Sequence, residues 1–376
     1  MLRKKLPIGI QTFSKIREDD YYYVDKTPMI ERLVNGGTHY FLSRPRRFGK
    51  SLFLDTLAEA FLGNKSLFEG LYLERNWDWN KKYPVIRISF AEGRLESREQ
   101  LDHRILKLLR DNARRLEISC DDEADISGCF ADLIKTAAQK YNQRAVVLVD
   151  EYDKPILDNI TEPEIARAMR EGLRNLYSVL KGQDANLKFV FLTGVSKFSK
   201  VSIFSGLNNL IDITLLPEYA TICGYTENDI DTVFAPELEG LDRDEIRRWY
   251  NGYSWLGESV YNPFDVLLLF NAREFRSWWF ETGTPTFLVN WLRERNFFTP
   301  KLEHIFANED LLSAFDVDYI RPEAMLWQTG YLTIKERIPT PAGPAYMLQL
   351  PNHEVRTALN QSLLSVWLPD YGVVLE

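Results

Sequence analysis

Cysteine, histidine and long apolar runs are what this chain has little of. Three cysteines in 376 residues (Cys120, Cys129, Cys223) are too few and too scattered for a disulfide framework or a cysteine-based zinc site, and a reducing cytoplasm fits them. The four histidines, His39, His103, His304 and His353, show no metal-ligand spacing. No apolar run approaches the ~18 residues of a membrane-spanning helix. The densest, Val266-Leu267-Leu268-Leu269-Phe270, suits a buried helix turn or strand. Basic Arg3, Lys4 and Lys5 have no apolar stretch behind them, so no signal peptide is read. Net positive charge is also missing. A formal charge of −8 argues against general nucleic-acid coating.

Aromatics are plentiful, with 9 Trp, 18 Tyr and 22 Phe, which excludes disorder as the main state. The length predicts two to three domains. The charge is uneven: residues 1–51 hold 11 Lys and Arg against 5 Asp and Glu, and the remainder holds 35 against 49. An anion site near the N-terminal end is the first functional expectation.

Along the chain, apolar strands are expected at 21–24, 38–42, 85–90, 145–149, 188–192 and 211–215, separated by helical periodicity. Fully apolar strands alternating with helices predict an α/β fold with a parallel sheet covered on both faces. Beyond about residue 223 the pattern is mainly helical, broken at Asn251-Gly252 and Asn262-Pro263. Segments 330–335 and 346–350 flank Pro339, Pro341, Gly343 and Pro344, which reads as a hairpin with a loose loop, followed by a helix from near Glu354. The expected division is a core at 1–222, a helical lid at 223–320 and a winged-helix-like subdomain at 321–376.

The strand at 38–42 runs into Ser43-Arg44-Pro45-Arg46-Arg47-Phe48-Gly49-Lys50-Ser51, and a helical pattern starting at Leu52 follows. Strand, loop ending Gly-Lys-Ser, helix is the context of a phosphate-binding P-loop. Its backbone N–H groups gather at a helix N-terminus, where an anion is stabilised. Arg44 occupies the position where the usual motif has Gly. Lys50 would pair with the terminal phosphates and Ser51 would coordinate Mg²⁺. The strand at 145–149 ends in Asp150-Glu151. Asp150 suits a metal-holding carboxylate, and Glu151 suits a group that orients or deprotonates water. Thr193, at the tip of the next apolar strand, is the candidate sensor of the terminal phosphate, with Ser196 as runner-up.

These residues in this order resemble the bacterial AAA-ATPase-like family, P-loop proteins of the additional-strand division related to archaeal-type ATPases. The landmarks are Leu6-Pro7-Ile8-Gly9, Tyr23-Val24-Asp25-Lys26-Thr27, the P-loop, Val149-Asp150-Glu151-Tyr152-Asp153-Lys154-Pro155, Leu192-Thr193-Gly194-Val195-Ser196-Lys197-Phe198, Ser205-Gly206-Leu207-Asn208-Asn209, Trp249-Tyr250-Asn251-Gly252-Tyr253 and Tyr261-Asn262-Pro263. The resemblance implies a P-loop NTPase three-layer sheet with a C-terminal helical lid and winged-helix-like subdomain, ATP and Mg²⁺ as ligands, and Arg44 as a subtype mark. It assigns ATP binding to Arg44, Pro45, Arg46, Arg47, Phe48, Gly49, Lys50, Ser51 and Leu52, the metal to Ser51 and Asp150, and catalysis to Glu151, Lys50 and Thr193. Many members carry a PD-(D/E)XK nuclease domain. Here Pro369-Asp370 is followed by no Glu-x-Lys, so no nuclease activity is carried over.

Weaker candidates are Lys26 or Thr27 at the base, Asp153 with Lys154 behind Glu151, and Lys197 and Lys200 as phosphate or partner contacts, with solvated lysines the favoured reading. Arg247 or Arg248 could serve as a lid arginine, though a solvated helix face is the favoured reading. The aromatic run 249–255 is read as lid core rather than a stacking surface. Residues 104–115 read as a mixed charged surface. Two functions are expected: a slow Mg²⁺-dependent ATPase whose nucleotide state sets the lid, or a nucleotide-gated module that binds a protein or DNA partner through its C-terminal subdomain.

Overall fold

The computed structural model describes residues 3–119, 125–197, 199–283, 305–308, 312 and 320–367. Phe198, Cys120, His304 and Pro369-Asp370 lie outside them.

Five strands form the central sheet: β1 His39–Ser43, β2 Val85–Ser89, β3 Ala145–Asp150, β4 Leu187–Gly194 and β5 Ile211–Asp212. Their order is β2-β3-β4-β1-β5 and every pairing is parallel. Each residue of β1 and β3 is buried, as an apolar strand with both faces covered requires. The covering helices include α1 Lys50–Leu62, α2 Arg98–Arg115, α3 Ile126–Tyr141 and α4 Pro163–Gly182. In α2, Leu101, Ile105 and Leu109 recur at helical spacing and are buried, and Ser97 caps the start by accepting from Gln100 N. This is a three-layer P-loop NTPase architecture. Because β4 lies between β1 and β3, the loop after β1 and the acidic tip of β3 flank the tip of β4. The register pairs Leu42 with Thr193 and Val149 with Leu192.

The remaining described elements are α5 Arg243–Tyr250, α6 Pro263–Ala272, α7 Trp278–Gly283, α8 Pro322–Thr329 and α9 His353–Trp367, with an antiparallel sheet of β6 Ile305–Asn308, β7 Thr333–Thr340 and β8 Gly343–Gln349 in the order β6-β8-β7. Core residues do not follow chain order. The larger apolar cluster joins the sheet to Trp279, Tyr331, Leu348 and Leu359, while the smaller joins Tyr22 and Val24 to Ile230, Tyr250 and Val266.

Three local expectations change. Residues 21–24 form no sheet strand; Tyr21 makes a single bridge to Lys5, and the alternating Tyr22 and Val24 bury into the smaller core. The strand at 211–215 stops at Asp212, because the Asp212 carboxylate accepts from Thr214 N (3.0 Å) and turns the chain. The hairpin loop is tight rather than loose. Thr340 pairs with Gly343 and Pro339 with Pro344, so the turn is only Pro341-Ala342.

No helix among the described residues is long and apolar enough to cross a membrane.

Candidate functional site

Strand β1 ends at Ser43 and α1 begins at Lys50, so 44–49 is the loop between them. Gly49 sits in the left-handed region (φ +93°), where a side chain is disfavoured, and it turns the chain into the helix. Arg47 and Glu151 share that region at φ +69° and +53° without being glycine. Such backbone is held only where its surroundings over-determine it, and it clusters at functional sites.

The inner wall of the loop opens on a cavity of about 440 Å³. Arg46, Arg47, Phe48, Gly49, Lys50, Ser51, Leu52 and Glu151 line it; Arg44, Pro45, Asp150 and Thr193 do not. Lys50 is buried and its ammonium donates to the carbonyls of Arg44 (2.9 Å) and Pro45 (3.0 Å). Burial pushes its pKa down, while Glu151 and Asp150 pull it back up. Ser51 Oγ donates to Asp150 Oδ2 at 2.5 Å, and Thr193 Oγ1 lies 2.7 Å from Asp150 Oδ1 and 3.2 Å from Val149 O. One carboxylate thus gathers both hydroxyls. Ser51 and Asp150 form a hard oxygen donor pair at the cavity edge, which fits Mg²⁺. Thr193 is fully buried and spends its proton behind Asp150 rather than in the cavity.

Burial raises the pKa of Glu151; Lys50 and, more weakly, Arg46 oppose this. Asp153 is fully buried and ties the tip of β3 to the loop after β4, accepting from Val195 N, Ser196 N and Ser196 Oγ (2.6 Å). Lys154 pairs with Asp158 instead (2.6 Å). Ser196 therefore serves Asp153. Lys197 and Lys200 are not solvated: both ammonium groups converge on Asp212, at 2.9 and 2.6 Å, and hold its carboxylate well below the ordinary range against the opposing effect of burial.

The outer wall of the loop is sealed. Arg44 is 1% exposed, and its guanidinium donates to the carbonyls of Ser43 (2.9 Å), Thr214 (3.0 Å) and Tyr219 (3.1 Å). It stacks 4.1 Å over the ring of Trp255, and burial pulls its pKa down to about 10. Phe48 meets Tyr253 and Trp255 edge-on at 4.7 and 5.5 Å. The aromatic run is therefore core packing at this position, as favoured from sequence. Trp279 Nε1 donates to Arg46 O (3.1 Å), and Gly330 packs so closely that an added Cβ would lie 2.8 Å from the Pro45 ring. Lys197 N donates to Gln328 Oε1 at 2.7 Å. Three points of the C-terminal region thus touch the loop or its neighbour.

The rest of the cavity is apolar and aromatic, with Tyr22, Tyr23, Val24, Ile222, Tyr225 and Phe264 among its walls. This suits a planar base beyond the phosphates. Lys26 lines it and pairs with Asp229 (3.0 Å); Thr27 is buried and bonded to Asp25. Arg247 and Arg248 stand away from the cavity, paired with Glu227 and Glu245. In residues 104–115, Arg104 and Arg114 pair with Glu92 and Asp111, a mixed surface. The residues missed from sequence are Ile222, Tyr225, Phe264 and Trp279. Only Phe264 had a local signal, the helix start at Asn262-Pro263.

A second buried feature joins α6 to α9. Asp265 of α6 and Glu354 of α9 are fully buried and their carboxyls face each other. Glu354 Oε1 accepts from Trp279 N (2.9 Å) and Phe280 N (3.3 Å). Burial first, and Glu354 second, raise the pKa of Asp265 well above the carboxylate range.

The chain is 60% identical over 377 residues to an uncharacterized protein in the vnfD 5′ region of Azotobacter chroococcum mcd 1, covering 100% of this chain and 73% of that one. The structure of the Aeropyrum pernix ORC1 protein in complex with DNA aligns over 91% of this chain and 93% of that chain, with a TM-score of 0.32 and 11% identity. A family model for a predicted AAA-ATPase matches residues 7–204. With its ATP-type P-loop on a parallel five-stranded sheet, the chain belongs to the predicted AAA-ATPase family.

Proposed function

We propose that this protein is a slow Mg²⁺-dependent ATP hydrolase, acting in the cytoplasm, whose nucleotide state sets the position of a lid at 223–320 on a core at 1–222, with a winged-helix-like unit at 321–376. The observation that carries it is the convergence of Lys50, Ser51, Asp150 and Glu151 on one loop–helix junction beside the cavity. The loop and Lys50 hold the phosphates of ATP. Lys50 leaves the Arg44 and Pro45 carbonyls to do so. Ser51 and Asp150 hold the metal, which supplies charge neutralisation across the terminal phosphates. Glu151 accepts a proton from water as the water oxygen bonds to the γ-phosphorus. The bond from that phosphorus to the bridging oxygen breaks, its electron pair leaves with ADP, and the proton passes on to phosphate. A raised Glu151 pKa suits a base that must take up a proton. Thr193 acts from behind, fixing the Asp150 carboxylate.

The test is ATP turnover in wild type, Lys50→Ala and Glu151→Gln. A fall of about 10²–10⁴-fold in Glu151→Gln is expected. Wild-type turnover no greater than that of Lys50→Ala would sink the proposal.

A second reading, a nucleotide-gated module binding a protein or DNA partner, is favoured by a different observation. The β7–β8 hairpin exposes Lys335 and Arg337, while α8, just before it, touches the loop after β4 through Gln328. Retention of duplex DNA with and without ATP checks it, and an ATP-independent result counts against gating.

A further inference from the structure

Charge must still be placed on the γ-phosphoryl oxygens as the bond to ADP breaks, and the arginines of this chain are unevenly available for it. Arg44 is sealed on the outer wall by three carbonyls. Arg243 and Arg247 are both committed to Glu227, and Arg248 to Glu245. Arg47 is exposed, its guanidinium 4.9 Å over the ring of Phe264 on α6. Arg46 differs from all of these. It is half-buried, lines the cavity, makes no ion pair with any described carboxylate, and its charge is felt at Glu151.

The backbone at Arg46 is also held in place. Its carbonyl takes the indole N–H of Trp279, the preceding Pro45 is wedged by Gly330, and Lys50 bonds the two carbonyls before it. A long side chain fixed at its root and free at its tip is suited to follow a developing charge.

We propose that Arg46 is an arginine finger supplied in cis from within the P-loop itself: its guanidinium contacts the γ-phosphoryl oxygens and stabilises the charge that develops as the phosphorus–oxygen bond to ADP breaks. This rests on the hydrolase reading above. Arg46 takes part in no bond making or breaking; the water proton goes to Glu151 and the electron pair to ADP, as before. Trp279 is a positioning residue, acting through the Arg46 carbonyl. One consequence is that each chain completes its own site without an arginine from a neighbour.

The experiment uses the full chain as wild type, Arg46→Gln, Arg46→Lys and Lys50→Ala. It measures ATP turnover, ATP affinity, and the affinity for ADP with and without aluminium fluoride, the planar mimic of the transferred phosphoryl group. The expected result for Arg46→Gln is a fall in kcat of about 10³-fold. ATP affinity should stay within about threefold, and the tightening by aluminium fluoride should be lost. Arg46→Lys should recover part of kcat and serves as the folded control if Arg46→Gln is unstable. Wild-type turnover per chain should be unchanged on dilution.

Retained kcat in Arg46→Gln overturns the proposal and leaves the hydrolase reading standing. So does turnover that falls on dilution, which points to an arginine from a neighbouring chain. Equal losses of ATP and of ADP–aluminium fluoride affinity make Arg46 a ground-state phosphate binder and also overturn it. Wild-type turnover at the Lys50→Ala level overturns both readings together.

Discussion

Arg44 and Arg46 stand two residues apart on one loop and live in opposite surroundings. Arg44 faces outward into protein, with every bond made to backbone carbonyls and an indole ring beneath it. Arg46 faces inward, with its side chain against the cavity and only its carbonyl engaged. The outer wall of the loop is built like a protein core, and the inner wall like a socket. The same residue type is packed structure on one wall and lines the cavity on the other, where a chemical role is proposed for it.

The sharpest way to break this contrast is Arg44→Gly, which installs the residue of the usual P-loop. It should lower stability by about 2–6 kcal/mol, because the Ser43 and Thr214 carbonyls lose the Arg44 donor at about 1–3 kcal/mol each, while the Tyr219 carbonyl keeps Ile222 N. Chemical denaturation measures it. A variant as stable as wild type means that the outer wall does not depend on Arg44. On the inner wall, Lys50→Ala should do the reverse. ATP binding and turnover should fall by about 10²-fold or more, with Tm shifted by less than about 4 °C, since the carbonyls it releases sit beside a cavity that water can enter.

Glu151 offers a pH test of the same wall. Burial raises its pKa, and the carboxylate is the active form, so turnover should fall as pH drops through a value above the ordinary glutamate range. An acid limb at the ordinary value contradicts the assignment. Trp279→Phe removes one N–H from the outer side. A loss of about 1 kcal/mol in stability should accompany a fall in kcat with KM nearly constant. A change in KM alone would mean that Trp279 does not act through Arg46.

The smallest effect is expected at the contact between α6 and α9. Asp265 keeps a proton in the folded state that the unfolded chain releases, so its stabilising contribution is full below the ordinary carboxylate range and is lost as pH rises through the raised value. The groups facing it are Glu354 and the buried Tyr250 and Tyr253, with no cation among them. Asp265→Asn provides a permanent donor and should flatten the decline of Tm with pH, by about 2–4 °C at the alkaline end. An unchanged profile removes the pair as the cause.

Much of this was legible in sequence for a plain reason. Strands β1, β3 and β4 are buried on both faces, so their apolar runs are uninterrupted, and Gly49-Lys50-Ser51 and Asp150-Glu151 sit at their tips. Residues 21–24 misled because Tyr and Val suit any buried extended chain, and sequence does not say whether a partner strand lies alongside. Arg44 added to an N-terminal basic excess that looked like one phosphate pocket. Its partners Thr214 and Tyr219 lie 170 and 175 residues away, beyond the reach of any local pattern. Lys197 and Lys200 looked solvated for the same reason, since Asp212 follows on a different element.

The wedge of Gly330 against Pro45 and the indole of Trp279 on Arg46 bear on how the protein is made. All five strands of the parallel sheet are complete by Asp212, so a growing chain carries the loop after β1 and the acidic tip of β3 long before Trp255, Trp279 and Gly330 leave the ribosome. Until they arrive, Arg44 has no ring to stack on and the Arg46 carbonyl has no donor. Competence of the site therefore comes last in synthesis, although its signature comes first in the sequence, and a prematurely ended chain is left with the motif but not the fixed loop.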